Sequence, residues 1–132
     1  MICQFCSSEA QRVSGEKIYP HRRDLYHLSF FYCDNNHDPA YVGTHKDGKP
    51  FGTLADAETR KARSLAHQDF DKIWKENLLS RSDAYSALSK HMNLPPEKTH
   101  IGMFSTAQAN EVVVFSTNLY NLLKELEGLE NE

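Results

Sequence analysis

The chain has 132 residues, is 39% hydrophobic and 25% charged, and carries a formal net charge of -3 at pH 7. That length predicts one domain, and no apolar run approaches the length of a bilayer span. The slight acidity argues against a protein that coats DNA through a general positive field. Residues 105–132 carry five acids and one lysine, whereas residues 1–104 hold fourteen Lys/Arg against thirteen acids, so the acidity sits in the tail.

In chain order, Cys3-Gln4-Phe5-Cys6 opens the sequence, with Ser7-Ser8 completing its turn. Met1-Ile2-Cys3 lacks the charged-then-apolar build of a secretory leader, which predicts a cytoplasmic chain. Gln11-Arg12-Val13 reads as a strand and Ser14-Gly15-Glu16 as a hairpin turn, with Lys17-Ile18-Tyr19 as the partner strand ended by Pro20. A loop dense in functional groups follows, His21-Arg22-Arg23-Asp24. Leu28–Cys33 is the strongest strand signal, and Ala40–Gly43 the last strand, before the loop His45–Pro50. These segments predict an antiparallel sheet of three or four strands.

The pattern then turns helical. Thr53 is the expected N-cap, with Asp56 and Glu58 favoured by the helix dipole. Ala62, Ala66, Phe70 and Trp74 recur every four residues up to about Lys75, as one buried face requires. Ser80 or Ser82 opens a second helix with Tyr85, Leu88 and Met92 on its apolar face, and Leu94-Pro95-Pro96 stops it. Thr99–Phe104 reads as a short extended or turn connection. Ser105 caps a final helix to about Glu127, and Glu130-Asn131-Glu132 reads as a frayed tail. The fold class is therefore α+β: a small antiparallel zinc-ribbon-like sheet followed by three helices. A zinc-binding β lobe over residues 1–51 and a helical lobe over 52–132 together form one compact domain.

Three cysteines in a reducing compartment point to metal ligation over a disulfide framework. Two thiols two residues apart can turn both sulfurs toward one ion, and a second pair about thirty residues on can close a tetrahedral shell. Cys3, Cys6 and Cys33 supply three ligands, and His37, in the turn Asp34-Asn35-Asn36-His37-Asp38, is the expected fourth. Asp34, Asp38, His45 or a water are the alternatives for that place. A Cys3His set around Zn2+ has no open position and is structural; a water in the fourth place could instead be activated for hydrolysis.

The opening C-x-x-C, Ile18-Tyr19-Pro20-His21-Arg22, Ala40-Tyr41-Val42-Gly43 with His45, Gly52-Thr53-Leu54-Ala55, Ala62-Arg63 with Ala66-His67, Phe70-Asp71 with Ile73-Trp74, Ala84-Tyr85, and His100–Phe104 resemble the zinc-finger-containing domain family of bacterial and phage proteins. The resemblance runs in order over most of residues 1–104. It implies a zinc-bearing fold and no settled activity. The family reads C-x-x-C twice; this chain has no cysteine after Cys33 and carries His37-Asp38-Pro39 ahead of Ala40.

Two basic clusters stand outside the metal set. His21, Arg22, Arg23 and Asp24 form an ordinary polar loop in which arginine pairs with Asp24, or an anion site in which guanidinium grips phosphate. Asp56, Arg60, Arg63 and His67 share one helical stripe, which is a solvated face or the second half of that site. With His45 between them, His21, Arg22, Asp24, Arg60, Arg63 and His67 make the candidate binding patch. Val112, Phe115, Leu119, Leu122, Leu126 and Leu129 repeat at spacings of three and four, a seam that packs on its own domain or pairs with a second copy or partner.

No nucleophile-elbow motif or phosphate-binding glycine loop occurs, so no catalytic residue is assigned. The leading reading is a non-enzymatic zinc module that engages a protein or nucleic acid through the Arg/His patch and oligomerises through its last helix. In a phage it would act on a host protein in the host cytoplasm. The alternative is a metal-dependent enzyme acting on nucleic acid or nucleotides through His21, His45 and His67.

Overall fold

The computed structural model describes residues 1–130. Asn131 and Glu132, expected to fray, lie outside the described residues. The chain divides into two compact units, Met1–Arg60 and residues from Lys61 on.

The first unit is built on a three-stranded antiparallel sheet in the order β1 (Gln11–Ser14), β2 (Ser29–Cys33), β3 (Ala40–Gly43). Arg12 pairs with Phe31, which pairs with Val42, and Gln11 with Tyr32, which pairs with Tyr41. Successive side chains in a strand point to opposite faces, so Phe31, Cys33, Ala40 and Val42 share one face. That face packs with Cys3, Ala10 and Leu54 into a small core that also holds Met1 and Cys6. The opposite face carries an aromatic layer, Tyr19, Phe30 and Tyr41, whose rings meet edge to face at 6.0–6.5 Å.

The expected hairpin at Ser14-Gly15-Glu16 does not form. Lys17-Ile18-Tyr19 is not the partner of β1. Gly15–Ile18 instead makes one helical turn, α1, closed by Tyr19 N–H on the Gly15 carbonyl at 2.7 Å. The chain returns through a 3-10 turn, Arg23–Leu25, and the aromatic strand β2 takes the place beside β1. Close approach fixes this route. The Gly15 amide donates to the Leu28 carbonyl at 2.8 Å, and a β-carbon on Gly15 would lie 1.7 Å from the Leu25 carbonyl oxygen. Because that neighbour is backbone, it cannot swing aside. Gly15→Ala is expected to cost about 3 kcal/mol. Chemical denaturation measures it, and an alanine variant with an unchanged midpoint would contradict the packing described.

The long helix α2 spans Ala57–Lys75, starting later than the expected Thr53 cap. Tyr41 and Ala55 exchange two backbone hydrogen bonds of 3.0 and 3.1 Å, so the chain stays extended through Ala55 and cannot turn helical at Thr53. Asp56 takes over the cap, its carboxylate accepting from the Thr59 amide at 2.8 Å. The Thr59 hydroxyl and amide hold that carboxyl below its ordinary range, consistent with an anion at a helix N-terminus.

In the second unit, α3 (Arg81–Met92) is capped by Ser80, whose hydroxyl accepts from Asp83 N–H at 3.0 Å, and closed by Asn93 in the left-handed region at φ 55°. Two 3-10 turns, Pro96–Lys98 and Ile101–Met103, lead to α4 (Thr106–Glu130). Ser105 and Gln108 cap α4 reciprocally, at 3.1 and 3.0 Å, as a capping box does. Glu130 belongs to the helix. Phe70, Ile73, Leu88, Ile101, Phe104, Ala109 and Val112 form the buried core. Small Ala62, Ala66 and Ala84 let the helices approach it. The fold is thus a small antiparallel sheet followed by helices, the class expected.

Candidate metal centre

Four side chains of the first unit converge. One donor atom each from Cys3, Cys6, Cys33 and His37 lies within 4.8 Å of all the others. Cys3 Sγ is 3.4 Å and Cys33 Sγ 3.5 Å from His37 Nε2, and the Cys6 and Cys33 sulfurs are 3.5 Å apart. A tetrahedral ion with about 2.3 Å bonds to sulfur and about 2.05 Å to nitrogen sets its ligands roughly 3.5–3.8 Å apart. The closest donors already stand near those edges. Among the described residues this is the one such cluster of His, Cys, Asp or Glu. All three thiols are free of disulfides.

Two short loops aim the donors, and they use the same local device. In the first, Ser7 N–H bonds the Cys3 carbonyl at 2.8 Å, Cys3 N–H bonds the Ser8 carbonyl at 2.8 Å, and Ser7 adopts φ 64°. The Ser8 amide then donates to the Cys6 sulfur, two residues back. In the second loop the Asn35 amide donates to the Cys33 sulfur, again two residues back, and Asn36 adopts φ 60°. Asn35 Nδ2 donates to Ser8 Oγ at 2.9 Å and ties one loop to the other. In each loop the amide two residues after the cysteine favours negative charge on its sulfur.

The consequences for charge differ by residue. Hydrogen bonds from the Ser8 amide and hydroxyl lower the Cys6 pKa to about 6. The Asn35 amide lowers that of Cys33, but burial and the neighbouring Cys6 and Cys3 thiols leave it above the ordinary thiol range. His37 Nδ1 lies 2.6 Å from the Asp38 carbonyl oxygen. That oxygen can only accept, so Nδ1 carries the proton and Nε2 presents its lone pair to the sulfurs. A carbonyl that fixes the tautomer and orientation of a ligating imidazole is the usual outer support of a metal site. Phe5 packs its ring 5.4 Å from the imidazole. The alternatives Asp34, Asp38 and His45 do not join the cluster; His45 packs its ring on Phe51 at 4.3 Å.

The sequence reading did not single out Ser8 and Asn35 as partners of the thiolates, nor the Asp38 carbonyl. A Ser two residues after Cys6 and an Asn two residues after Cys33 were the available signal.

The patch residues are placed as follows. In the first unit His21, Arg22, Asp24 and His45 are exposed. Arg22 is bound to Asp24 in a two-pronged pair of 2.7 and 2.9 Å. That contact raises the arginine pKa and lowers the carboxyl's. Arg60 lies 3.8 Å over the Tyr41 ring. In the second unit Arg63 is only 8% exposed and its Nε donates to the Phe104 carbonyl at 2.6 Å, while His67 is half-buried. Of the α4 seam, Val112 is fully buried, Phe115 and Leu119 pack against the core, and Leu122 and Leu126 are half exposed.

No helix among the described residues is long and apolar enough to cross a membrane. No curated protein and no solved structure shows significant similarity to the chain. The model of one family, described as a zinc-finger-containing domain, matches residues 1–119. That match takes in both cysteine loops, β1 to β3, α2, α3 and the first half of α4, and the chain belongs to the zinc-finger-containing domain family.

Proposed function

We propose that the protein is a non-enzymatic zinc-binding module whose ion staples the first unit and whose exposed Arg/His surface engages a macromolecular partner. The observation that carries the zinc assignment is the closure of three thiols and one correctly tautomerised imidazole on a single point. Soft thiolates with imidazole in tetrahedral array suit Zn2+, which brings charge neutralisation and cross-linking when bound. Four protein donors fill a tetrahedral shell and leave no position for substrate or a reactive water, which favours the structural role over hydrolysis. The chain's own residues do the rest: Ser8 and Asn35 amides stabilise thiolates, and Asp38 holds the imidazole.

His21, Arg22 and His45 supply the exposed part of the patch. Arg22 gives its Nε and one terminal nitrogen to Asp24, which leaves only the outer edge of its guanidinium to meet an acidic surface. The acidic stretch 105–132 disfavours a nucleic-acid duplex, and a protein surface is the partner argued for. Arg63, buried on the Phe104 carbonyl, is unsuitable as a probe because its loss would strand that oxygen. The test is affinity capture from lysate, with and without nuclease, comparing wild type with Arg22→Ala/His45→Ala. The double variant is expected to stay folded and to lose a protein that wild type retains after nuclease treatment. Capture that disappears on nuclease treatment would shift the partner to nucleic acid. A folded double variant that keeps every interaction would sink the patch.

A further inference from the structure

We infer that the C-terminal half of α4 is a self-docking surface, and that two copies of this chain pair through it antiparallel. The inference does not depend on the zinc site or the Arg/His patch. One heptad-like seam, Val112, Phe115, Leu119, Leu122, Leu126 and Leu129, runs along α4, but its two halves have different fates. Val112 is fully buried, and Phe115 and Leu119 are packed against the core. Leu122, Leu126 and Leu129 are 52%, 48% and 62% exposed. The reason is length. The 25 residues of α4 extend about 37 Å, and the 12 of α3 about 18 Å, so α3 can cover only part of it.

Beside the covered half runs an open groove of about 490 Å³ lined by His91, Val114, Phe115, Leu119 and Leu122 among others. His91 stacks on Phe115 at 4.5 Å and pairs with Glu111 at 3.3 Å. Val114 on its wall is 61% exposed. A leucine ridge and an apolar groove therefore lie on the same helix, displaced along its axis. A two-fold axis lets each ridge fill the other's groove in one closed assembly, whereas a single foreign helix would fill one groove. In the register that sets a positions against d positions, Leu122 meets Leu119 and Leu126 meets Phe115 of the second copy.

Charge selects the orientation. Glu125 and Glu127 flank the exposed leucines, with Lys124 3.8 Å from Glu127. The last turn of α3 carries Lys90 and His91, and the His91 pair places it beside Glu111 in the first half of α4. Parallel copies would bring acidic ends together. Antiparallel copies carry them to opposite ends of the pairing.

Sedimentation velocity on the full metal-loaded chain, from low to high micromolar, tests the pairing. Wild type is expected to shift from monomer to dimer with concentration. Leu122→Glu/Leu126→Glu should remain monomeric with an unchanged circular-dichroism spectrum, since neither side chain belongs to the core. Nitroxide labels on a Glu127→Cys variant read the orientation: antiparallel copies in this register set the two labelled positions about 20 Å apart along the helix axis. Labels in contact with each other would mean parallel helices and overturn the arrangement. A strictly monomeric wild type, or a leucine variant that dimerises like wild type, would overturn the pairing itself and leave the zinc reading untouched.

Discussion

Replacing Cys3 with serine, or stripping the ion with a chelator, is expected to unfold the first unit rather than merely soften it. Cys3 is fully buried, and the small core it shares holds only Ala10, Cys33, Ala40 and Leu54 as further buried members. A closed structural zinc site contributes on the order of 10 kcal/mol of apparent binding energy at neutral pH. That equals the whole stability of a small domain, and a core of two alanines, two thiols and one leucine cannot replace it. Native mass spectrometry should find one zinc per chain, and chelation should abolish dispersion of β1–β3 resonances. A metal-free chain with an intact sheet would refute the proposal. His37→Ala should lose metal affinity less completely than Cys3→Ser, because water can take the vacated place. Acid should release the ion: binding displaces thiol protons, so affinity falls as pH drops through each ligand pKa. Because the ion-free first unit unfolds, its ligand thiols titrate near the ordinary value of about 8.5, and affinity falls as pH drops below it.

Phe70→Ala should be the most damaging single substitution in the second unit, costing about 3–5 kcal/mol. Phe70 is fully buried on α2, with its ring edge-on to Tyr85 at 4.7 Å. Removing it leaves a cavity between Ile73, Ala66 and Ala84 that alanines cannot grow to fill. The chain's one tryptophan, Trp74, lies one turn along and donates its indole N–H to Asp71 at 3.1 Å. Denaturation followed by its fluorescence reports the loss directly. Leu65→Ala, on a helix position 46% exposed, should cost well under half as much. A Phe70 variant no weaker than the Leu65 variant would contradict the core described here.

The metal ligands were legible because their geometry is local. A C-x-x-C pair and a Cys followed four residues later by His each bend back within one short loop, and loops of that length have few ways to turn. The capping residues Ser80 and Ser105 were legible for the same reason, since a cap reaches only two or three residues. Lys17-Ile18-Tyr19 misled because a Ser-Gly turn beside β-branched and aromatic residues imitates a hairpin. What decides is the Leu25 carbonyl pressed against Gly15, ten residues away. Asp56 displaced Thr53 as cap because Tyr41, fifteen residues earlier, holds Ala55 extended.

By itself, then, the sequence determined the donor set, the order of sheet and helices, and the apolar face of each long helix. Those follow from short-range stereochemistry and from a periodicity that recurs every two or every three to four residues. Only the tertiary structure decided which face each charged or apolar residue serves. Arg63 sits on a stripe that reads as surface, yet a carbonyl forty-one residues on gives it a buried partner. Val112 and Leu126 occupy equivalent places in one seam, yet one is fully buried and the other half exposed. Periodicity records that a side chain seeks cover; the lengths and positions of neighbouring elements determine whether it finds any.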